Sequence, residues 1–144
     1  MKLYNFCRSG TSFRVRIALN LKGLPYEYVP VLLPKGEHRQ DAYRAISADG
    51  LVPTLDVQGD PDQALLGQSM AIIEYLDETH PEPPLLPAEP LARARVRALA
   101  QTVGCDIHPI NNLRILKYLA GPLGLSEQQR NDWYNHWIVE GLQA

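Results

Sequence analysis

The chain has 144 residues, of which 45% are hydrophobic and 21% are charged, and its formal net charge is −2. This length holds one ordinary core or two small ones, and the near-neutral balance of charge disfavours nucleic-acid binding. No apolar run is long enough to cross a bilayer and no signal-peptide core follows Met1, so we expect a cytoplasmic protein without membrane contact.

The first predicted elements are a strand over residues 3–6 and a helix that follows the turn 8–12, Arg8-Ser9-Gly10-Thr11-Ser12. Phe13, Ile17 and Leu21 recur at the spacing of a helix. The first turn of a helix leaves backbone N–H groups unpaired, and these stabilise a thiolate, a carboxylate or an oxyanion. Taken alone, the turn is explained more simply by a serine that caps the helix.

A second strand is predicted over residues 26–31, after the helix stop at Gly23 and Pro25. A strand–helix–strand order favours parallel pairing of the two strands. The segment 32–49 is looser, with a possible short helix from Asp41 to Ile46, and it contains His38, which a surface position would explain.

The stretch 51–57 predicts a third strand with Pro53 at its entrance, where a missing N–H is tolerated. If the Val52–Pro53 bond is cis, the backbone of Val52 can pair with an extended peptide ligand, but few X–Pro bonds are cis. Residues 64–66 predict a neighbouring strand across a turn from Gly59 to Pro61, which gives a sheet of about four strands.

Gln68 and Ser69 precede a helix in which Ile72, Ile73 and Leu76 are expected to face the core. Ser69 is the predicted N-cap of that helix. The functional alternative is that a ligand carboxylate binds at this N-terminus, held by Ser69 with Gln68 beside it.

Five prolines in the segment from His80 to Pro90, the last being Pro90 itself, predict an extended linker. We therefore expect a first domain over residues 1–80, a linker over 81–90 and a helical domain over 91–144.

Helical periodicity dominates the remainder of the chain. Pro109 is expected to kink or end one helix near His108, and the pattern resumes through Leu119. The segment 126–129, Ser-Glu-Gln-Gln, has the form of a capping box and predicts a last helix that carries two tryptophans. In the helix that follows the linker, the periodic apolar positions are Ala92, Val96, Leu99 and Val103.

The segment 105–114 is unusually polar for a packed helix. No third ligand lies at helical spacing from Asp106 and His108, so no metal site is predicted. Asn112 and Arg114 are either solvated or line a cleft between the domains. The two cysteines of the chain stand far apart and outside any C-x-x-C pair, so neither a disulfide framework nor a dithiol centre is expected.

Together these motifs closely resemble the zeta class of glutathione transferases, which contains maleylacetoacetate isomerase and maleylpyruvate isomerase. The order and spacing of the motifs carry the resemblance, which extends over the whole chain. The segments concerned are Arg8–Ser12 with Arg14–Leu19, Leu51–Pro53, Gln68-Ser69 and Asp106–Asn112.

The resemblance implies an α/β fold, with a thioredoxin-like N-terminal domain built on a mixed four-stranded sheet and an all-helical C-terminal domain that is incomplete here. It also implies a cis proline at Pro53, glutathione as cofactor, and a homodimer in which Asp106 reaches glutathione on the partner subunit. The glutathione-binding residues that it implies are Ser9, Gly10, Thr11, His38, Val52, Pro53, Gln68, Ser69, Asp106, His108 and Asn112.

By the same resemblance, the protein would be a cis–trans isomerase in aromatic-compound catabolism, with glutathione as a catalyst that is recycled. Its thiolate, stabilised by Ser9 and Thr11, would add to the cis double bond of a maleyl keto-diacid and leave after rotation to the trans product. Arg8 and Arg114 would bind the substrate carboxylates. The chain has Ser9-Gly10-Thr11 where many members have Ser-Ser-Cys. The alternatives are conjugation or dehalogenation of small electrophiles, and a non-catalytic dimerisation module.

Overall fold

The structure is a computed structural model of the chain, and it describes residues 1–57 and 65–143. The chain divides into two compact units, Met1–Leu85 and Leu86–Ala144. The first unit is α/β and the second is helical, which confirms the predicted fold class.

The first unit contains a mixed four-stranded sheet in the order β2-β1-β3-β4. The strand β1 pairs parallel to β2 and antiparallel to β3, and β3 pairs antiparallel to β4. The predicted turn from Gly59 to Pro61 and the predicted strand residue Ala64 lie outside the described residues. The four strands are β1 (Lys2–Asn5), β2 (Glu27–Pro30), β3 (Thr54–Asp56) and β4 (Leu65–Leu66).

The described residues of this unit also form three helices, and two short 3₁₀ turns, Leu33–Lys35 and Glu37–Arg39, precede the second of them. The helices are α1 (Gly10–Leu21), α2 (Asp41–Arg44) and α3 (Ser69–Thr79). Helices α1 and α3 pack together over the sheet. Burial of each large aliphatic side chain in their shared core contributes roughly 1.5–3 kcal/mol. The fully buried core residues are Leu3, Val15, Leu19, Leu55, Ile72 and Leu76.

The buried face of α1 is not the stripe that its apolar spacing singled out. Val15 and Leu19 face the core, whereas Phe13, Ile17 and Leu21 are 57%, 41% and 61% exposed. Because α1 is apolar on two sides, its periodicity predicted the helix but not the side that packs.

A buried lysine holds the end of α3 against the end of α1. The Nζ of Lys22 donates to the backbone carbonyls of His80 and Pro83 at 2.6 and 2.9 Å, and lies 2.7 Å from Oδ1 of Asp77. The same carboxylate oxygen accepts the N–H of Leu85 at 2.9 Å. One ammonium group thus fixes the start of the proline-rich segment onto the first unit.

The second unit is built from helices alone within its described part. Its elements are α4 (Pro90–Gln101), a π-helical segment (Thr102–Ile107), α5 (His108–Ile110), α6 (Leu113–Ala120) and α7 (Glu127–Gln143). Val96 and Leu99 on α4 are exposed.

The predicted break at Pro109 is displaced in the structure. Pro109 lies within a continuous run of helical residues, directly after the π-helical segment Thr102–Ile107. The helix ends instead at Asn111, and the side chain of Asn112 caps α6 by accepting the N–H of Arg114 at 2.8 Å. Upstream, the helix widens into the π-helical segment, which the periodicity did not predict.

The predicted capping box of the last helix is confirmed. Ser126 Oγ accepts the N–H of Gln129 at 3.3 Å, and Gln129 Oε1 accepts the N–H of Ser126 at 2.9 Å. Trp133 packs its ring edge-on to Trp137, with centroids 5.7 Å apart, and donates its Nε1–H to the carbonyl of Ile110 at 3.1 Å. Helix α7 is therefore anchored to the segment before α6.

None of the helices in residues 1–57 and 65–143 combines the length and the apolar character that crossing a membrane requires.

Candidate functional site

The turn between β1 and α1 carries two hydroxyl groups that are hydrogen-bonded to each other. Ser9 is the N-cap of α1 and its Oγ accepts the N–H of Ser12 at 3.2 Å. The Oγ of Ser9 lies 2.7 Å from Oγ1 of Thr11. The capping role expected from sequence and the polar cluster at a helix N-terminus are therefore both present, on the same serine.

Thr11 connects this turn to the segment that enters β3. Its hydroxyl donates to the carbonyl of Val52 at 2.9 Å. The peptide bond between Val52 and Pro53 is cis, as the family resemblance implied and against the general preference for trans. Ser9, Thr11 and Val52 are thus joined directly, although 41 residues separate the last two in sequence.

The guanidinium group of Arg16 holds the backbone on which this turn stands. Its Nη1 donates to the side-chain oxygen of Asn5 at 2.8 Å, and its Nη2 donates to the carbonyl of Cys7 at 2.9 Å. Asn5 is fully buried, and its amide nitrogen donates to the carbonyl of Leu3 at 3.0 Å. The forked side chain therefore links the end of β1 to the residues before Ser9.

Three polar side chains fix Leu51, the residue before Val52. The Tyr43 hydroxyl donates to the Leu51 carbonyl at 2.6 Å, and Ser47 Oγ lies 3.2 Å from the same oxygen. The carboxylate of Asp49 accepts the Leu51 N–H at 3.0 Å and the Ser47 hydroxyl at 2.7 Å. Burial raises the pKa of the Tyr43 phenol above its ordinary value of 10.0, and its hydrogen bond with Thr54 offsets part of that rise.

Gln68 and Ser69 stand at the N-terminus of α3, where the predicted N-cap is corrected. Gln68 is the N-cap, with a positive φ of 62°, and Ser69 is the first helical residue. An N-cap backbone normally has an extended conformation, and Gln68 departs from it with its positive φ. The side chain of Gln68 makes no capping hydrogen bond, so the first N–H groups of the helix receive none from their own N-cap residue. Ser69 is buried and Gln68 is exposed.

His38 lies in the second 3₁₀ turn and is half-buried. Its backbone is in close contact with Gly50, because a Cβ atom at position 50 would lie 2.7 Å from the carbonyl oxygen of His38. Gly50 also has a φ of +64°, so a side chain is disfavoured there twice over. The segment that carries His38 is thereby held against the loop that leads to Leu51.

The remaining predicted residues lie either in the same β1–α1 turn or in the second unit. Arg8 and Gly10 are exposed in the β1–α1 turn. The others lie in the second unit: Asp106 and Arg114 are exposed, and His108 and Asn112 are half-buried. Asn112 has a local structural role as the cap of α6.

Within the described parts of the chain, no three His, Cys, Asp or Glu side chains gather as a metal site would require.

The sequence reasoning missed Arg16, Tyr43 and Asp49 as parts of this site. Arg16 lies within one of the motifs, but no local pattern predicts its role, because its contacts join positions up to 11 residues apart. Tyr43 and Asp49 lie in a segment without clear periodicity, and only the fold shows that both reach Leu51.

Comparison with protein families gives a match between residues 3–84 and the glutathione S-transferase N-terminal domain. The chain is 58% identical over 144 residues to a maleylpyruvate isomerase of a Ralstonia species, which covers all of the chain and 66% of that relative. It is 51% identical over 146 residues to a maleylacetoacetate isomerase of Pseudomonas aeruginosa, covering all of the chain and 67% of the relative. The chain thus spans about two thirds of the length of these curated relatives.

Among solved structures, the fold is similar to the holo structure of a maleylpyruvate isomerase that is described as a bacterial zeta-class glutathione S-transferase. The TM-score is 0.93 at 57% identity, over 99% of this chain and 66% of the other.

Proposed function

Because this chain belongs to the glutathione S-transferase family and to its zeta class, we propose that it binds glutathione and isomerises a maleyl keto-diacid, such as maleylpyruvate or maleylacetoacetate, to the trans form. The observation that carries this proposal is the direct linkage of Ser9, Thr11 and Val52 at the N-terminus of α1. Hydroxyl groups and helix N–H groups at one point suit a thiolate beside an extended peptide.

The donors and acceptors of the first unit fit the groups of glutathione. The N-terminus of α3 at Ser69, which the side chain of its N-cap residue does not cap, suits a carboxylate, with the exposed Gln68 beside it. The Val52 backbone suits a peptide group, and His38 offers a basic group for the second carboxylate. When bound, glutathione supplies a thiol whose ionised form adds reversibly to an electron-poor double bond.

The hydroxyls of Ser9 and Thr11 lower the cost of negative charge at the N-terminus of α1, and neither acts as a nucleophile in this proposal. Arg8 is exposed beside them and binds a substrate carboxylate. In the second unit we assign Arg114 to a substrate carboxylate, and Asp106, His108 and Asn112 to contacts with glutathione or substrate.

We further propose that the chain acts as a homodimer in the cytoplasm. The resemblance to the zeta class supports the dimer, with Asp106 reaching glutathione on the partner subunit. The exposed free thiols of Cys7 and Cys105 are compatible with a reducing compartment.

The test is an assay of maleylpyruvate, and separately of maleylacetoacetate, with a catalytic amount of glutathione, following the loss of cis substrate and the remaining free thiol. Isomerisation with unchanged thiol is the expected result. Consumption of thiol would instead indicate a transferase that conjugates glutathione to the substrate. Glutathione binding in a calorimeter without turnover of either substrate would leave a binding module.

A further inference from the structure

The hydroxyl hydrogens of Ser9 and Thr11 are both already used within the protein. A carbonyl oxygen only accepts, so the single hydroxyl hydrogen of Thr11 is committed to Val52 at 2.9 Å. The 2.7 Å contact between Ser9 and Thr11 must then use the hydrogen of Ser9. Ser9 Oγ in turn accepts the N–H of Ser12 at 3.2 Å. Donation therefore runs in one direction, from Ser12 through Ser9 and Thr11 to the carbonyl of Val52.

In this arrangement neither hydroxyl is able to donate to a sulfur atom without giving up a bond inside the protein. The last acceptor of the series, the carbonyl of Val52, is also the group that suits the peptide N–H of a ligand. A carbonyl oxygen has two lone pairs and accepts two hydrogen bonds, but each is weaker than a single one because both draw on the charge of the same oxygen. A donor that arrives at Val52 therefore weakens the existing bond from Thr11. Thr11 has a second acceptor at 2.7 Å, the Oγ of Ser9.

We propose that Thr11 is a positioning residue that couples occupation of the Val52 carbonyl to the direction of the Ser9 hydroxyl. When a peptide N–H binds Val52, the Thr11 hydroxyl turns to Ser9 Oγ, and the Ser9 hydroxyl turns outward to the sulfur. No covalent bond breaks, since each oxygen keeps its hydrogen and only two C–O torsions change. This inference rests on the proposed function and assigns Thr11 and Ser9 different tasks within it.

The test is a double-mutant cycle of Ser9→Ala, Thr11→Val and the combined variant, with the thiol pKa of bound glutathione measured by ultraviolet absorbance of the thiolate. We expect Ser9→Ala to raise the thiol pKa by about 1 unit or more, because it removes the donor. Thr11→Val should raise it less, and should add nothing in the Ser9→Ala background. Additive shifts would mean that both hydroxyls act on the sulfur independently, which overturns the proposal.

Affinity gives a second readout, which a merely structural role of Thr11 would not move in the same direction. Thr11→Val removes the competing donor at Val52, so the Kd for glutathione should fall about 2- to 10-fold although the bound thiol becomes a weaker acid. Thr11→Ser should restore both parent values, and Thr11→Ala serves if the valine variant does not fold. Weaker or unchanged binding in a folded Thr11→Val or Thr11→Ala variant overturns the proposal.

Thr79→Val is the matched control, because the Thr79 hydroxyl donates to Tyr75 within its own exposed helix turn at 2.7 Å. It should change neither the thiol pKa nor the Kd. If the parent chain fails to bind glutathione, the proposed function and the coupling both fall. If the parent binds but the cycle is additive, only the coupling does.

Discussion

Arg16 performs a task that its neighbours in sequence do not share. Its two terminal nitrogens reach a buried side chain and a backbone carbonyl in different segments, Asn5 and Cys7. A planar fork makes the two bonds from two separate nitrogens of one side chain, whereas a lysine would have to make both from a single nitrogen atom. The position of the β1–α1 turn, and with it of Ser9, therefore depends on a guanidinium group.

We predict that Arg16→Gln lowers the free energy of unfolding by about 1–3 kcal/mol, because it leaves the buried oxygen of Asn5 without its charged donor. Urea unfolding followed by circular dichroism measures this change. Arg95→Gln is the control, since it removes the same charge from an exposed position of α4. Equal urea midpoints of unfolding for the two variants would contradict a structural role of Arg16.

At the scale of elements, α4 begins at a cap whose strength depends on pH. The carboxylate of Glu89 accepts the N–H groups of Leu91 and Ala92 at 2.8 and 2.6 Å. These two bonds hold the pKa of the Glu89 carboxyl below its ordinary value of 4.5, and the charge of Arg93 adds to the effect. A lowered pKa means that the folded helix prefers the ionised carboxyl.

The stabilisation by Glu89 is therefore fully present above pH 4.5 and is lost as the pH falls through the lower folded pKa. We predict that the amides of Leu91 and Ala92 lose protection against hydrogen exchange over that acidic window, after correction for the intrinsic exchange rate. Glu89→Gln keeps an acceptor but does not titrate at this position, so its protection should vary less with pH. An identical pH profile in both proteins would contradict this account of the cap.

The sequence predicted elements well where a local pattern determines the structure. The Ser126–Gln129 capping box and the alternation around β2 are patterns of this kind, and both elements are present. The sequence failed where long-range packing decides. The buried side of α1 and the positive φ of Gln68 depend on the segments that pack against them. The residues next to them in sequence carry no information about that packing.

The same distinction applies to the candidate site. Ser9 and Thr11 were predicted because they form one local turn, and their direct link to Val52 required the fold. The cis bond before Pro53 was implied by the resemblance and not by the residues alone. The side chains that brace Leu51 were not predicted at all, since three separate positions converge on one peptide group.

At the scale of the whole molecule, the first unit depends on the buried contacts of Lys22. We predict that Lys22→Met lowers the free energy of unfolding by about 3–5 kcal/mol, because Asp77 and two carbonyls lose their donor together. Asp77→Asn should cost less, since an amide oxygen still accepts from Lys22 and from Leu85. Urea unfolding of both variants measures the difference, and a methionine variant as stable as the parent would contradict the prediction.

The enclosure of Lys22 has a practical consequence for anyone who handles this protein. Its amine is shielded from solvent, whereas Lys35 and Lys117 project into it. An acylating reagent will mark the latter two in the native chain and will reach Lys22 only when the first unit opens. Mass spectrometry then gives the fraction of Lys22 that has been acylated. This fraction measures how far the first unit has unfolded, without an added dye.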